Sequence, residues 1–286
     1  MPGYDGLFRG LFDDASLFPP AALPMADAVT GHLRHEAAWY CDMSGPFVCA
    51  DTRISVLSSA LAAANAAALD LALVLPGGAA GLDAALDAVS SDSRLRLRAV
   101  EVPISAAEAD ARVATAELAA ALDRVPLAGA TAFIEIPPGQ LSPETLRIAA
   151  ERRYAIKLRT GGVTAAAFPD EMTLARCLTL LAGEWQAFKC TAGLHHAVRH
   201  RADDTGFEHH GFLNVLLAVA AALEGASPAD VADVLADQDA SHVAAAIRDL
   251  SPAAADEARG LFVSFGTCSI DEPIGDLVTL GLVSER

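Results

Sequence analysis

The chain predicts an α/β fold, a (β/α)8 TIM barrel with an enlarged helical crossover between strands 7 and 8. Short β-prone runs recur eight times, alanine-rich stretches with helix-start signals lie between them, and 286 residues suit one unit of that kind. Strands that alternate with helices pair in parallel, and eight of them can close a sheet on itself.

The β-prone runs begin with Gly10-Leu-Phe-Asp-Asp-Ala15 and Pro46-Phe-Val-Cys-Ala50, followed by Leu71-Ala-Leu-Val-Leu75 and Leu97-Arg-Ala-Val-Glu-Val-Pro103. Thr131-Ala-Phe-Ile-Glu-Ile-Pro137, Tyr154-Ala-Ile-Lys-Leu158, Ala187-Phe-Lys-Cys190 and Leu261-Phe-Val-Ser-Phe-Gly266 complete the set. Helices are announced by Ser142-Pro, Ser227-Pro and Ser251-Pro, each a serine cap followed by proline at the first helical position. An open doubly wound sheet finds no support, because no GxGxxG follows the first strand. From Thr191 to Gly260 strand signals fade. This interval holds a His-rich loop, a helix from about Gly211 to Glu224 and two more helices, and reads as an insertion over about 194–258 in a single domain, 1–286.

The formal charge of −17 argues against nucleic acid or an anionic membrane as partner, since both need clustered positive charge. The N-terminal stretch to Arg9 offers no signal-like apolar run, and the uncharged run from Gly211 to Leu223 is too short to span a bilayer. Cys41, Cys49, Cys177, Cys190 and Cys268 form no CxxC pair and read as reduced packing thiols, which fits a cytosolic, cytoplasmic protein. Association into a homo-oligomer stays open.

The chain has only two lysines, Lys157 and Lys189, against eighteen arginines, and each lies in an apolar run that ends in a Thr/Gly turn. Arginine cannot lose its proton near neutrality and attack a carbonyl, whereas a desolvated lysine can. A coding bias against lysine would leave the same two survivors, and a lysine near a strand end can also snorkel to solvent.

Catalytic groups in such a barrel gather at the carboxyl ends of the strands. Those positions hold Asp13, Asp14, Asp51, Glu101, Glu135, Lys157, Arg159, Thr160, Lys189, Thr191, His195, His196 and Ser269, with Asp271 just beyond the last strand. Alternation puts Lys157 and Arg159 on one face and Ile156 and Leu158 on the other, and pairs Lys189 with Thr191. Cys190 then points outward. Arg159 suits a carboxylate or phosphate on the substrate; Glu101 or Glu135 suits proton transfer or a structural ion pair.

His195-His196 and His209-His210 flank a polar loop with Arg199, His200, Arg201, Asp203 and Asp204. With no HxH or HExxH spacing, it reads as a lid or substrate-binding loop in preference to a metal site. His32, His35 and His242 read as surface positions, and Asn214 as either a cap or a substrate contact.

In their order along the chain, these motifs resemble the deoxyribose-phosphate aldolase group of class I, Schiff-base-forming barrels. Phe12-Asp-Asp-Ala-Ser-Leu-Phe18 resembles that group's opening strand, Phe47-Val-Cys-Ala50 its second, and Phe133-Ile-Glu-Ile-Pro-Pro-Gly-Gln-Leu-Ser142 its fifth. Ala155-Ile-Lys-Leu-Arg-Thr-Gly-Gly162 and Phe188-Lys-Cys-Thr-Ala-Gly193 resemble the strands of its two lysines, and Phe265-Gly-Thr-Cys-Ser269 its phosphate-side turn. The resemblance implies that Lys157 forms the imine, that Lys189 eases its deprotonation, and that Glu101 moves protons. The chain departs from the group's pattern in four places, one of them the enlarged crossover, which has no counterpart there. Glu101 stands where Asp is usual, Arg159 where a small hydroxyl residue is usual, and Ala192-Gly-Leu-His-His196 replaces a Gly-Gly turn.

The sequence is thus expected to encode a class I aldolase-like lyase acting on a small carbonyl substrate with an anionic group. Lys157, Lys189 and Glu101 are catalytic. Arg159, Thr160, Thr191, His195, His196, Asp14, Glu135, Ser269 and Asp271 bind substrate, and no metal or cofactor is required. One alternative is a metal-assisted lyase or isomerase using the His-rich loop with Glu101 and Asp271. Another is a non-catalytic barrel in which the three cations bind an anion.

Overall fold

The computed structural model describes residues 6–105, 108–203 and 205–285, so part of the N-terminal reading and Asp204 of the His-rich loop lie outside the described residues. The first seven expected strands form as β1 (Phe12–Asp14), β2 (Ser44–Ala50), β3 (Leu69–Val74), β4 (Leu95–Pro103), β5 (Thr131–Glu135), β6 (Ala155–Arg159) and β7 (Phe188–Thr191). A two-strand antiparallel hairpin, β8 (His200–Arg201) with β9 (Glu208–His209), occupies the His-rich loop. The eighth expected strand, β10 (Phe262–Thr267), closes the barrel in the order β1-β10-β7-β6-β5-β4-β3-β2, with every pair parallel.

Helices α1 (Met25–Glu36), α2 (Ile54–Ala63), α3 (Leu82–Ser90), α4 (Ala111–Leu122), α5 (Pro143–Glu151) and α6 (Glu171–Gly183) follow the first six strands. The insertion carries α7 (Phe212–Leu223), α8 (Pro228–Ala236), α9 (Ala240–Asp249) and α10 (Pro252–Leu261); α11 (Asp271–Thr279) ends the fold. Three helices therefore follow α7 where the sequence suggested two: besides those that Ser227-Pro and Ser251-Pro announce, α9 starts at Asp239, whose side chain accepts from Ser241 N and His242 N. Ser142 and Ser227 form complete capping boxes with Thr145 and Asp230, satisfying backbone donors that would otherwise lack partners.

The barrel wall divides two apolar regions. Ile156, Leu158, Phe188 and Cys190 point outward into the layer shared with the helices, while Val48, Ala72, Val74, Ala99, Phe133 and Ala155 fill the inside. Most of that inner set is small, which leaves room for long charged side chains one layer higher. Phe212 of α7 stacks on Phe265 at 5.3 Å and meets Phe12 edge-on at 5.5 Å, seating the insertion against β10 and β1.

Asn214 resolves as a structural residue. Its Oδ1 accepts from Arg199 N at 2.8 Å, and its Nδ2 donates to Val234 O and Asp237 O at 3.0 and 2.9 Å, so one buried amide ties the hairpin to α8.

Two histidines correct the surface reading. His32 is buried against Phe47 and bonds to Asp14 Oδ2 at 3.0 Å, and His35 is buried with its Nδ1 2.9 Å from Tyr40 Oη. Both lie on the inner face of α1. His242 is exposed, as expected, and pairs with Asp237. No helix among the described residues is long and apolar enough to cross a membrane.

Gly45, on β2, packs against Asp13, and a Cβ there would overlap Asp13 Oδ1. Gly45→Ala is expected to destabilise the barrel by about 1–3 kcal/mol, as overpacking in a dense interior does. Thermal unfolding beside wild type checks this; an unchanged midpoint would mean that β2 shifts freely.

Candidate active site

Six successive strands of the barrel wall, β1, β10, β7, β6, β5 and β4, contribute one polar side chain each to a single layer. In that order they are Asp13, Ser264, Lys189, Lys157, Glu135 and Glu101. Lys157 lies beside Lys189 in the β6–β7 register and beside Glu135 in the β5–β6 register.

The ionic contacts form one chain of alternating charge. Lys189 Nζ bonds to Asp13 Oδ2 and, at 2.5 Å, to Glu101 Oε1. The other Glu101 oxygen lies 2.8 Å from Lys157 Nζ, which also reaches Glu135 Oε2 at 3.0 Å. Glu135 Oε1 then holds Arg159 through Nε and Nη2, both at 3.1 Å. Ser264 Oγ donates to Asp13 Oδ2 at 2.8 Å. Below the layer, the Phe133 ring centroid lies 5.4 Å from Lys189 Nζ.

Side-chain exposure rises along this chain, from 1% at Lys189 and 4% at Lys157 to 13% at Glu135 and 48% at Arg159. The direction of access follows. Lys189 is sealed, Arg159 stands at the mouth, and Lys157 is the lysine nearer to solvent.

The protonation states follow from opposing effects. Burial opposes the Glu101 carboxylate, but the Lys157 and Lys189 ammonium groups outweigh it and bring Glu101 down to about 2. Burial likewise opposes the Lys189 charge, but Asp13 and Glu101 hold its pKa above the ordinary lysine value. For Asp13 burial wins, and its pKa is raised despite Lys189. Its Oδ1 has no hydrogen-bond partner. Both carboxylate partners of Lys189 therefore favour its ammonium form.

No family model and no curated protein sequence matches this chain. The aldolase resemblance rests on its motifs alone.

The other expected site residues are distributed differently. Thr160 is fully buried, and its hydroxyl donates to Ala192 O at 2.6 Å, fastening the turn after β6 to the turn after β7. Gly161 and Gly193 meet there so closely that a Cβ on either would collide with the other's backbone. Thr160 is therefore a clasp between turns, not a substrate contact. Thr191 stays on the inner face beyond Lys189, in register with Gly266. Asp51 accepts from its neighbour Thr52 N at 2.8 Å and does not join the lysine layer.

Asp14, Ser269 and Asp271 do not meet the lysines either. They line a separate cavity of about 250 Å³ against α1, together with Ser16, Arg34 and His35. Asp14 faces outward because Asp13 faces inward; it accepts from Ser16 N and bonds to His32. Asp271 is held by Arg34 and Tyr40 Oη, each at 3.3 Å.

His195 and His196 sit at the same end of the barrel, clamped to α11. His195 Nδ1 lies 3.1 Å from Glu272 Oε2, and His196 Nδ1 lies 3.1 Å from Asp276 Oδ2. Burial opposes the His195 charge, yet its contacts with Cys268 and Glu272 push its pKa up to about 9, so it is cationic at neutral pH. The hairpin is anchored from beneath by buried Arg199, which pairs with Glu171 at 2.6 Å, and by His210, whose Nε2 lies 2.8 Å from Pro169 O.

The groups of the metal-assisted alternative do not converge: Glu101 is inside the barrel, Asp271 is beside α1, and His196, His200 and His209 meet one another and Phe168 in edge-on or tilted ring contacts. Among the described residues, no group of three or more His, Cys, Asp or Glu could hold a metal ion.

Sequence reasoning passed over Asp13 as a site residue in favour of Asp14. The signal was available: Phe12 must face the helices, so its neighbour Asp13 faces in. Glu272 and Asp276, which fix the two histidines, carry no signal in the sequence beyond helical spacing.

Proposed function

We propose that this barrel is a class I aldolase-like lyase in which Lys157 forms a Schiff base with a small carbonyl substrate bearing an anionic group. One observation carries this reading: a nearly buried lysine, on the solvent side of a more deeply buried one, lies within 3.0 Å of two carboxylates, and the more exposed of these, Glu135, can take its proton.

The chemistry balances on these groups. An ammonium proton of Lys157 passes to Glu135, and the free amine adds to the substrate carbonyl carbon. The resulting carbinolamine loses water to give an iminium. In the cleavage direction a carboxylate takes the proton of the hydroxyl one carbon beyond the α-carbon. The carbon–carbon bond breaks, its electron pair moves through the α-carbon to the iminium nitrogen, and an aldehyde leaves. The enamine regains a proton at carbon, and water releases the amine. Lys189 keeps Glu101 ionised and in place, and needs no contact with substrate for that role.

The test is intact-protein mass spectrometry after sodium borohydride treatment with a panel of small aldehydes and oxo acids. A reduced adduct of one substrate mass, mapped to Lys157, is expected. Binding of these compounds with no adduct at any concentration would overturn the reading in favour of a non-catalytic anion pocket.

A further inference from the structure

Glu135 occupies an unusual position. One of its oxygens holds Lys157 and the other holds Arg159, so the carboxylate joins the expected nucleophile to the only member of the chain that stands substantially in solvent. Arg159 gives both its Nε and Nη2 to the single oxygen Oε1. That edge of the guanidinium is the one a planar carboxylate engages. Glu135 therefore sits as an internal carboxylate where an external one would dock.

Resting on the Schiff-base reading, we propose that the substrate is an oxo acid whose carboxylate takes Arg159 from Glu135, and that this exchange frees Glu135 to deprotonate Lys157. While Arg159 is in place, each Glu135 oxygen is committed to one cation. Once the substrate carboxylate engages Arg159, Glu135 faces Lys157 alone. An ammonium proton then moves from Lys157 Nζ to Glu135, and the amine lone pair forms the bond to the carbonyl carbon. The carbonyl π pair becomes an alkoxide, which recovers that proton from Glu135. No other reactant is needed. A neutral carbonyl compound of the same size leaves the latch shut.

One guanidinium can satisfy a carboxylate, whereas a phosphate wants further donors beside it. The turn after β7, where a phosphate would want several backbone donors, is closed by the Gly161–Gly193 contact. The Thr160 hydroxyl is used on Ala192 O, and Thr267 Oγ1 donates to Ser269 O at 3.0 Å. The two residues that carry the exchange differ in role: Arg159 would touch substrate, and Glu135 is a positioning residue for Lys157.

The experiment measures borohydride-trapping rates with pyruvate and 4-oxopentanoate, each against its methyl ester. The ester is the neutral match, and for pyruvate it is the more electrophilic carbonyl, so any preference for the acid opposes intrinsic reactivity. Wild type is expected to trap at least one acid about ten-fold faster than its ester, the scale of one charge-assisted contact. Arg159→Gln should remove that preference, and Arg159→Lys should restore part of it; Arg159 is half exposed, so neither variant threatens the fold. Glu135→Gln separates positioning from packing: half-saturation by the acid should fall, because Arg159 is released, while the maximal trapping rate also falls. Equal trapping of acid and ester, or a preference that survives Arg159→Gln, overturns the latch and leaves the Schiff-base reading standing. Trapping of no compound at all overturns both.

Discussion

Lys157→Ala is expected to abolish every borohydride-trapped adduct while the barrel stays folded; Lys189→Met is expected to do the reverse in kind, costing stability first. The asymmetry follows from what each lysine leaves behind. Without Lys157, Glu101 still has Lys189 and Glu135 still has Arg159, so each carboxylate keeps a cation. Without Lys189, the side-chain partner that remains to Asp13 is Ser264 Oγ, a neutral donor. Breaking a buried pair on one side costs about 3–5 kcal/mol. The lower end applies here, because the raised pKa of Asp13 lets it take a proton and go neutral. Against a total stability of about 5–15 kcal/mol this is a large fraction. Urea unfolding of both variants, run beside trapping with the best carbonyl compound of the panel, checks the pair of outcomes. An adduct that survives in Lys157→Ala would move the nucleophile to Lys189 and contradict the assignment.

The architecture was legible because its signals are local and repeated. β-prone runs, serine–proline helix starts and strand alternation each act over a few residues, and they agreed with one another. Alternation also placed Lys157 inside the wall with Ile156 and Leu158 outside it, and turned Cys190 outward, as found. A short strand needs an apolar reference residue to fix its phase, and in β1 that reference is Phe12. β1 has three residues, and within it the inward carboxylate is Asp13 while Asp14 turns to His32 on α1. Asp14 and His32 account for each other's burial, a pairing between β1 and α1 that strand and helix patterns do not disclose.

What could not be read is the pairing between distant segments. The sequence offers Glu101 and Glu135 as either proton carriers or structural partners. Only the closed barrel shows that Glu101 divides its two oxygens between two lysines, 56 and 88 residues further on. The clamp of His195 and His196 by Glu272 and Asp276 spans about eighty residues and depends on where α11 comes to rest. Thr160 looked like a substrate contact because it follows a lysine strand. Its hydroxyl goes instead to a backbone carbonyl that comes near only when the two turns meet.

Several carboxylates are held below their ordinary pKa, and Glu101, placed between two buried lysines, should carry a large share of the acid limb of stability. Its folded-state pKa is depressed from the ordinary 4.5 to about 2. It therefore contributes stability that is fully present above about pH 4.5 and lost as the pH falls towards 2. At 1.36 kcal/mol per pKa unit the contribution is about 3 kcal/mol. Asp13 acts in the opposite sense: its pKa is raised on folding, so its own contribution improves as the solution is acidified. Glu101→Gln removes the titrating group and should cost about 3 kcal/mol near pH 6. The gap between wild type and variant should then narrow by more than half by about pH 3, as wild-type Glu101 becomes protonated on unfolding. Urea unfolding of both proteins between those values measures the gap directly. A gap that stays constant with pH would mean that the loss is packing rather than charge. In that case the two lysines would have to be held ionised by Asp13 and Glu135 alone, and the central place of Glu101 in the chain would fall.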